Sequence, residues 1–386
     1  MAAFLLGGSA FALAAWVGVL LLPWQAHRVR ERIEADAGPD VAELGDVVVL
    51  IPARDEAAVI GPTIAALRHQ GRGLAAIVVD DQSSDGTADL ARAAAAAPGQ
   101  PEIALRILAG TVLPEGWAGK LWALQQGLDL VDRTFVLLLD ADIELAPRTL
   151  PALLRAANAR SASLVSIMAE LHCETFWERL LAPPFVFFFK LLYPFALAND
   201  PARRTAAAAG GCMLLRAADL RAIGGFAAIR GALIDDCALA AELKKNRRGT
   251  WLGMSRSVKS LRAYRRLADF WQMVSRSAFT QLRYSAAWLL LATVLLVVAL
   301  LAPPVAVAAA AFAPAPLSTA TLGLLAWLTA SAAYWPVVRF YRLPSVWTLT
   351  LPVAAALFLA MTWSSALNYW RGTRATWKNR TYESAR

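Results

Sequence analysis

The sequence predicts an α/β domain with an open, largely parallel sheet, held between apolar helices that lie toward both ends of the chain. Three observations carry this expectation. From residue 45 to about residue 231, short aliphatic runs alternate with helix-like stretches, as in strand–helix folds whose ligand site lies beyond the carboxyl ends of the strands. Residues 2–22 carry no charge and suffice to cross the hydrocarbon core of a bilayer. The last third holds three more apolar segments of that length, 286–313, 317–338 and 346–367.

Composition agrees with a membrane location. A chain of 386 residues that is 58% hydrophobic and 17% charged, with a mean hydropathy of +0.47, is too apolar for a soluble enzyme. Its 14 tryptophans suit a bilayer interface, where an apolar ring with one N–H donor is well placed. The net charge of +9 would suit nucleic acid, but the basic residues cluster beside the apolar segments. That placement points to an anionic lipid bilayer as partner and away from nucleic acid, although any one cluster is equally a solvated face. Cys173, Cys212 and Cys237 are widely spaced with no C-x-x-C pair, which argues against a disulfide framework or zinc site and for a reducing compartment.

In chain order, residues 1–25 read as a transmembrane anchor. A cleaved signal peptide is the alternative, weakened by the lack of a positive segment before the apolar run. The linker 26–44 is basic at His27-Arg28-Val29-Arg30-Glu31-Arg32, which puts the following domain on the cytoplasmic side. Within that domain, 45–262, strands are expected over 47–51, 76–79, 103–108 and 135–139, and helices over 59–69 and 87–97, with a loop at Pro98-Gly99-Gln100-Pro101. The apolar stretch 180–197 is interrupted by Pro183, Pro184, Lys190 and Pro194. It reads as an interfacial segment too broken to span, with a buried helix pair as the alternative. An interfacial helix over 263–285, two to three spans over 286–367 and a basic tail over 368–386 complete the chain. Three full spans would put the basic residues from Arg371 to Arg380 outside, against the positive-inside rule, so Pro352 or Pro303-Pro304 marks a segment that does not fully cross.

Four motifs carry the chemistry. Residues 48–56 (VVLIPARDE) are a strand ending at Pro52 in a polar turn that includes Glu56. Residues 77–87 (IVVDDQSSDGT) end a strand in Asp80 and Asp81, whose like charges need compensation, while Asp85 and Thr87 suit the cap of the next helix. Residues 135–142 (FVLLLDAD) end a buried strand in Asp140 and Asp142. On a strand that spacing puts both carboxylates on one side, with Ala141 facing away. Two hard oxygen donors there suit Mg²⁺ or Mn²⁺, with positions left for a diphosphate; two solvated loop acids are the alternative. Residues 224–241 (GGFAAIRGALIDDCALAA) put Asp235 and Asp236 at a helix start. Capping accounts for one acid, and a general base would account for the other. Between the second and third motifs, 116–127 (GWAGKLWALQQG) offers Lys120, either a phosphate contact or a surface lysine. In 275–284 (SRSAFTQLRY), Gln281, Arg283 and Tyr284 lie beside an apolar segment, as an interface anchor or a phosphate clamp.

The sequence contains no H-E-x-x-H, G-x-S-x-G, G-x-x-x-x-G-K-[ST] or G-x-G-x-x-G pattern, so zinc protease, serine hydrolase, ATPase and dehydrogenase readings have no support. Over 45–284 the ordered set VVDDQSSDGT, DAD and IDD resembles the family 2 glycosyltransferases of the GT-A fold. The phrases GWAGKLWALQQG and AAAAGGCMLLRAADLRAIGGF more narrowly resemble the hopene-associated glycosyltransferases of bacterial hopanoid gene clusters.

That resemblance implies roles. Asp81, with Asp80, would contact the nucleotide base, Asp140 would face the nucleotide, and Asp142 would hold the metal. Asp236 would deprotonate the acceptor, with inversion at the anomeric carbon. Gln281, Arg283 and Tyr284 match the processive members' Q-x-x-R-W motif loosely, one residue short and with Tyr for Trp, which favours transfer of a single sugar. The expected donor-binding set is Pro52, Glu56, Asp80, Asp81, Lys120, Asp140, Asp235, Gln281 and Arg283, with Asp140 and Asp142 on a divalent cation. The expected partners are a nucleotide-sugar donor and a membrane lipid acceptor, a hopanoid being the candidate. The expected location is the bacterial inner membrane, with several spans and the catalytic domain facing the cytoplasm. A processive polysaccharide synthase and a catalytically silent binding protein are the alternatives.

Overall fold

The carboxyl ends of four parallel strands form the shelf on which the conspicuous acids stand. A computed structural model of the chain describes residues 2–38, 41–312, 317–372, 376–377 and 380–381. It divides into a sheet unit (Glu31–His172, Phe195–Arg262 and Thr376–Arg386) and a helical unit (Met1–Arg30, Cys173–Pro194 and Ala263–Ala375). Most of the predicted basic tail, 368–386, lies outside the described residues.

In the sheet unit the strands are β1 (Val47–Ala53), β2 (Ala75–Asp80), β3 (Ala104–Ala109), β4 (Phe135–Leu139), β5 (Ile143–Leu145), β6 (Leu164–Glu170), β7 (Cys212–Arg216) and β8 (Thr250–Ser260). They form one sheet in the order β3-β2-β1-β4-β7-β6-β8-β5. The run β3-β2-β1-β4 is parallel, as expected. In the other half β6 and β8 are also parallel. β7 is antiparallel to both β4 and β6, and β5 is antiparallel to β8, so the sheet is mixed. The reversal has a use. Cys212, the first residue of β7, lies opposite Leu139, the last of β4, and this brings the Gly210-Gly211 turn against Asp140, whose N–H donates to the Gly211 carbonyl at 3.0 Å.

β1 is buried along its whole length, and its alternating side chains feed two cores. Val47, Val49 and Ile51 pack with Ile60, Ile64, Leu150 and Leu153 on one face; Val48 and Leu50 pack with Leu121, Leu124, Leu239 and Leu243 on the other. Full burial of each such aliphatic side chain is worth about 1.5–3 kcal/mol, which fixes the register that aligns the strand ends. Pro52 is tolerated because the pairing of β1 with β4 has already stopped at Leu50 opposite Leu138, so its missing N–H costs no ladder bond on that side. The helix Gly119–Leu128 lies hard against the sheet at Gly127, where a Cβ would come 2.2 Å from Leu50 Cδ1.

Among the described residues, the helical unit contains four helices long and apolar enough to cross a membrane: Ala3–Leu21, Ala286–Ala310, Leu317–Phe340 and Ser345–Trp370. The second contains a π-helical turn, Val297–Leu301, just before Pro303 and Pro304. Proline has no N–H to give the carbonyl four residues back. For Pro303 that carbonyl belongs to Ala299, and the Trp16 indole N–H donates to it at 2.9 Å. In hydrocarbon an unpaired carbonyl has no water to turn to. We therefore expect Trp16→Phe to cost about 1 kcal/mol of stability. A melt in detergent superimposable on the parent's would refute this role.

The prolines of 180–197 do not break the chain as expected. Helix Phe176–Leu192 continues through Pro183 and Pro184 and stops at Tyr193, before Pro194. It starts with a capping box, in which Glu178 accepts the Thr175 N–H at 2.9 Å and Thr175 Oγ1 accepts the Glu178 N–H at 3.3 Å. Leu180, Leu181, Val186 and Phe187 are buried inside the unit, with Phe187 between Trp16 and Tyr334 at ring distances of 6.1 and 5.2 Å, while Phe176 and Leu192 at the two ends of the helix are exposed. The separate helix Phe195–Asn199 begins beyond it.

Candidate active site

The loops after β1 and β2 are latched to each other before any ligand arrives. Asp55 N–H donates to Ser83 Oγ at 3.0 Å, Glu56 N–H to Thr87 Oγ1 at 2.8 Å, Ala57 N–H to Asp85 Oδ2 at 2.9 Å, and Ser84 N–H to Asp55 Oδ1 at 2.9 Å. Asp55 and Gln82 hold positive φ (50° and 59°) to make these turns, a conformation that side-chain-bearing residues adopt at a cost. Asp85 also accepts the Thr87 N–H, although Gly86 and not Asp85 stands at the cap position of the helix Thr87–Ala95. Burial is the largest single effect on its carboxyl and pushes it up, but the bonds from Thr87 and Ala57 together hold it below the usual range. Asp80 accepts the Ser83 N–H at 3.1 Å. Asp81 is completely buried, with Arg54 Nη1 on its carbonyl at 2.5 Å and 3.8 Å from its carboxylate. Arg54 thus supplies the compensation that adjacent acids need.

Asp140 and Asp142 lie just past the end of β4, in the turn leading to β5, and not within a strand as expected. The predicted orientation of Ala141 is nevertheless observed: it is buried, and its carbonyl accepts from Thr63 Oγ1 at 2.8 Å. Each acid holds a cation of the chain. Lys120 Nζ is 2.7 Å from Asp140 Oδ1 and 3.3 Å from Asp235 Oδ2. Arg262 Nε is 2.8 Å from Asp142 Oδ2, and its Nη2 is 2.9 Å from both oxygens of Glu56. Burial works to discharge Lys120, but Asp140 and Asp235 overcome it and hold its pKa above the usual lysine value. Burial pushes the Asp140 carboxyl up; Lys120 opposes this and Asp142 adds to it.

Asp235 and Asp236 open the helix Asp235–Lys245, but the capping role expected of one of them is not filled by either. Ile234 stands at the cap position, and no side chain caps there. Asp235 is turned to Lys120. Asp236 Oδ2 accepts the Gly210 N–H at 2.8 Å and Oδ1 the Cys237 N–H at 2.7 Å. Its carboxyl is partly open to solvent yet crowded by protein, and burial, followed by the charge of Asp235, raises its pKa to about 7 in spite of those two bonds and Lys120. Neighbouring thiols offer no competing nucleophile: burial, with Asp140 adding to it, pushes Cys212 up to about 12, and burial with Asp236 likewise raises Cys237.

The sheet unit therefore brings together Glu56, Lys120, Asp140, Asp142, Asp235 and Asp236 through the contacts above, with Asp80 and Asp81 at the next strand end. Pro52 is buried in β1. Gln281 and Arg283 belong to the helical unit, where Gln281 accepts from the Tyr193 hydroxyl at 2.8 Å and Arg283 and Tyr284 take positive φ (53° and 56°). Arg262 was missed from the sequence because its partners lie 120 and 206 residues away.

The acids fit a hard divalent cation by donor chemistry. Asp140 and Asp142 are adjacent carboxylates close enough to affect each other, and each already draws a positive side chain into the place a cation would take. Among the described residues no group of three His, Cys, Asp or Glu side chains is arranged to hold a metal. That suits Mg²⁺ or Mn²⁺ shared between one or two carboxylates and a phosphate, and does not suit a closed protein cage.

Residues 48–224, a little under half the chain, match the family model Glycosyl transferase family 2. The chain is 33% identical over 116 residues to the undecaprenyl-phosphate 4-deoxy-4-formamido-L-arabinose transferase of Edwardsiella ictaluri (strain 93-146), a match that takes in 29% of this chain and about a third (34%) of that protein's length. The mannosyltransferase PcManGT of Pyrobaculum calidifontis, solved with GDP-Man and Mn²⁺, superimposes with a TM-score of 0.52 at 19% identity, over 91% of this chain and 99% of that one. Glucosyl-3-phosphoglycerate synthase of Mycobacterium tuberculosis, solved with Mg²⁺ and UDP, aligns with a TM-score of 0.40 at 17% identity, over 61% of this chain and 78% of that one. The fold is of the GT-A type, an α/β fold with a mixed sheet, accompanied by apolar helices toward both ends of the chain.

Proposed function

We propose that the chain is an inverting glycosyltransferase that moves one sugar from a nucleoside-diphosphate donor to the hydroxyl of a membrane lipid. The observation that carries the reading is Asp236, a carboxylate with a pKa of about 7, held by two backbone N–H groups beside a lysine that joins two further acids. A general base works best when its pKa lies near the working pH, and a neutral hydroxyl needs one. Asp236 takes the acceptor proton as the hydroxyl oxygen attacks the anomeric carbon. Lys120 supplies positive charge where the leaving diphosphate accumulates negative charge. Asp80 and Asp81, at the end of β2, and Arg54, at the end of β1, hold the nucleoside. When bound by Asp140 and Asp142, a divalent cation supplies further charge to the diphosphate.

The match to the family model supports the donor class, and the four helices among the described residues that are apolar enough to cross a bilayer support a lipid acceptor. The basic stretch after the first of them supports a catalytic domain facing the cytoplasm from the bacterial inner membrane, and a hopanoid remains the candidate acceptor. A second reading, transfer to a lipid phosphate, is favoured by the name of the Edwardsiella relative. A phosphate monoester is already anionic at neutral pH and needs no base, so the two readings differ in what they ask of Asp236.

The test is mass spectrometry of lipid extracts incubated with purified chain and a panel of nucleotide sugars. Absence of any sugar-bearing lipid and of nucleoside diphosphate release would refute the reading. As to the cation, excess chelator is expected to weaken nucleoside diphosphate binding roughly ten-fold, and Mg²⁺ or Mn²⁺ to restore it. Calorimetric titrations that coincide with and without chelator would exclude the ion from the site.

A further inference from the structure

Arg262 occupies a position that neither strand-end spacing nor the family match assigns. It immediately follows Leu261, whose N–H donates to the Asp142 carbonyl at 2.7 Å, so the backbone beside Asp142 is pinned. Its side chain is long and 36% exposed, whereas the carboxylates it joins are nearly covered, Glu56 at 11% and Asp142 at 14%. The two covered acids share this one guanidinium. Arg262 Nε already engages Asp142 Oδ2 at 2.8 Å and so would compete with a divalent ion for that carboxylate. Rotation of the side chain alone frees it, since the backbone need not move. The planar guanidinium that leaves is suited to two phosphate oxygens at once.

We propose that Arg262 exchanges partners: it neutralises Asp142 and Glu56 in the ligand-free chain, gives up Asp142 to a divalent cation, and turns its guanidinium to the donor's diphosphate. This rests on the donor class proposed above and adds a residue to it. A strut that merely joined β8 to the loops after β1 and β4 would stabilise those loops without opposing metal.

The exchange predicts effects of opposite sign in one variant. In the full chain in detergent, Arg262→Gln should bind Mn²⁺ alone on the order of ten-fold more tightly than the parent, by electron paramagnetic resonance, because Asp142 has lost its competitor. At saturating Mg²⁺ the same variant should bind inorganic pyrophosphate on the order of ten-fold more weakly. Arg262→Lys keeps the charge and should stay near the parent in Mn²⁺ affinity. Adding Asp142→Asn to Arg262→Gln should erase the gain in Mn²⁺ binding. Mn²⁺ affinity that is unchanged or reduced in Arg262→Gln, pyrophosphate affinity that is unchanged, or a gain that survives Asp142→Asn would each overturn the proposal. These readouts need no sugar transfer. A chain that glycosylates lipid but shows neither shift refutes the exchange alone, and one that shows both shifts but releases nucleoside diphosphate from no donor refutes the glycosyltransferase reading.

Discussion

Asp236→Asn is expected to lower sugar transfer by on the order of 10²–10⁴ while leaving the chain folded and able to bind donor. Asparagine keeps the size of the side chain and can still accept one of the N–H groups of Gly210 and Cys237 through its carbonyl oxygen. What it loses is the capacity to take a proton. In the parent, turnover should climb with pH as Asp236 ionises and level off above about 7; in Asp236→Asn that ascending limb should vanish. Stability should move the opposite way. The folded pKa is raised above the unfolded value of 3.8, so between there and about 7 the folded chain holds a proton that the unfolded chain has released. This contribution favours the fold at low pH and is lost as pH rises through the window. The parent thus carries a destabilising charge at the pH where it works, and Asp236→Asn does not. Turnover that falls only in step with the melting temperature would mean that Asp236 is structural.

The same variant separates the two acceptors. With a lipid hydroxyl, loss of the base removes the only described carboxylate that has both a pKa near neutrality and two positioning N–H bonds. A lipid phosphate attacks without giving up a proton, and Asp236→Asn would then retain most of its turnover. The shared 116-residue region with the Edwardsiella transferase takes in only 34% of that protein, so the chemistry at Asp236 decides between them more directly than the likeness does.

Legibility in the sequence followed the range of the interactions. β4 was read to the residue and β1, β2 and β3 to within two residues at each end, because a buried parallel strand is a continuous aliphatic run closed by a polar turn. β5 to β8 were not read. β8 carries Arg256 and Lys259 among its apolar residues, and β5 and β7 are too short to show a period. Their order in the sheet depends on pairings such as Leu139 with Cys212, between residues far apart in the chain. The acids were visible as types, and their partners were not. A helix start explained Asp235 from its neighbours alone, until the lysine of a different helix proved to be its partner. Pro183-Pro184 looked like a break because local rules say so. Packing of the surrounding apolar residues inside the helical unit outweighed the lost backbone bonds.

Lys120→Met is expected to lower kcat/KM for transfer by on the order of 10²–10³, the cost of removing one preorganised group that faces developing negative charge. Methionine keeps the apolar stem, which lies along a helix packed on the sheet, and removes only the ammonium between Asp140 and Asp235. Arginine should not restore activity. A Cβ on Gly210 would already lie 3.4 Å from both Lys120 Nζ and Asp236 Oδ2, so a wider guanidinium has no room. The variant also has a signature in stability. Without the lysine, burial drives the carboxyl of Asp140 toward its protonated form in the folded chain, while the unfolded chain releases that proton at an ordinary carboxylate value. The folded chain then binds the extra proton, so the deficit in melting temperature relative to the parent should be small near pH 5 and grow as pH rises to 8. A surface lysine would show neither the kinetic loss nor this widening gap, and a deficit that is constant with pH would mean that Lys120 does not hold Asp140 charged.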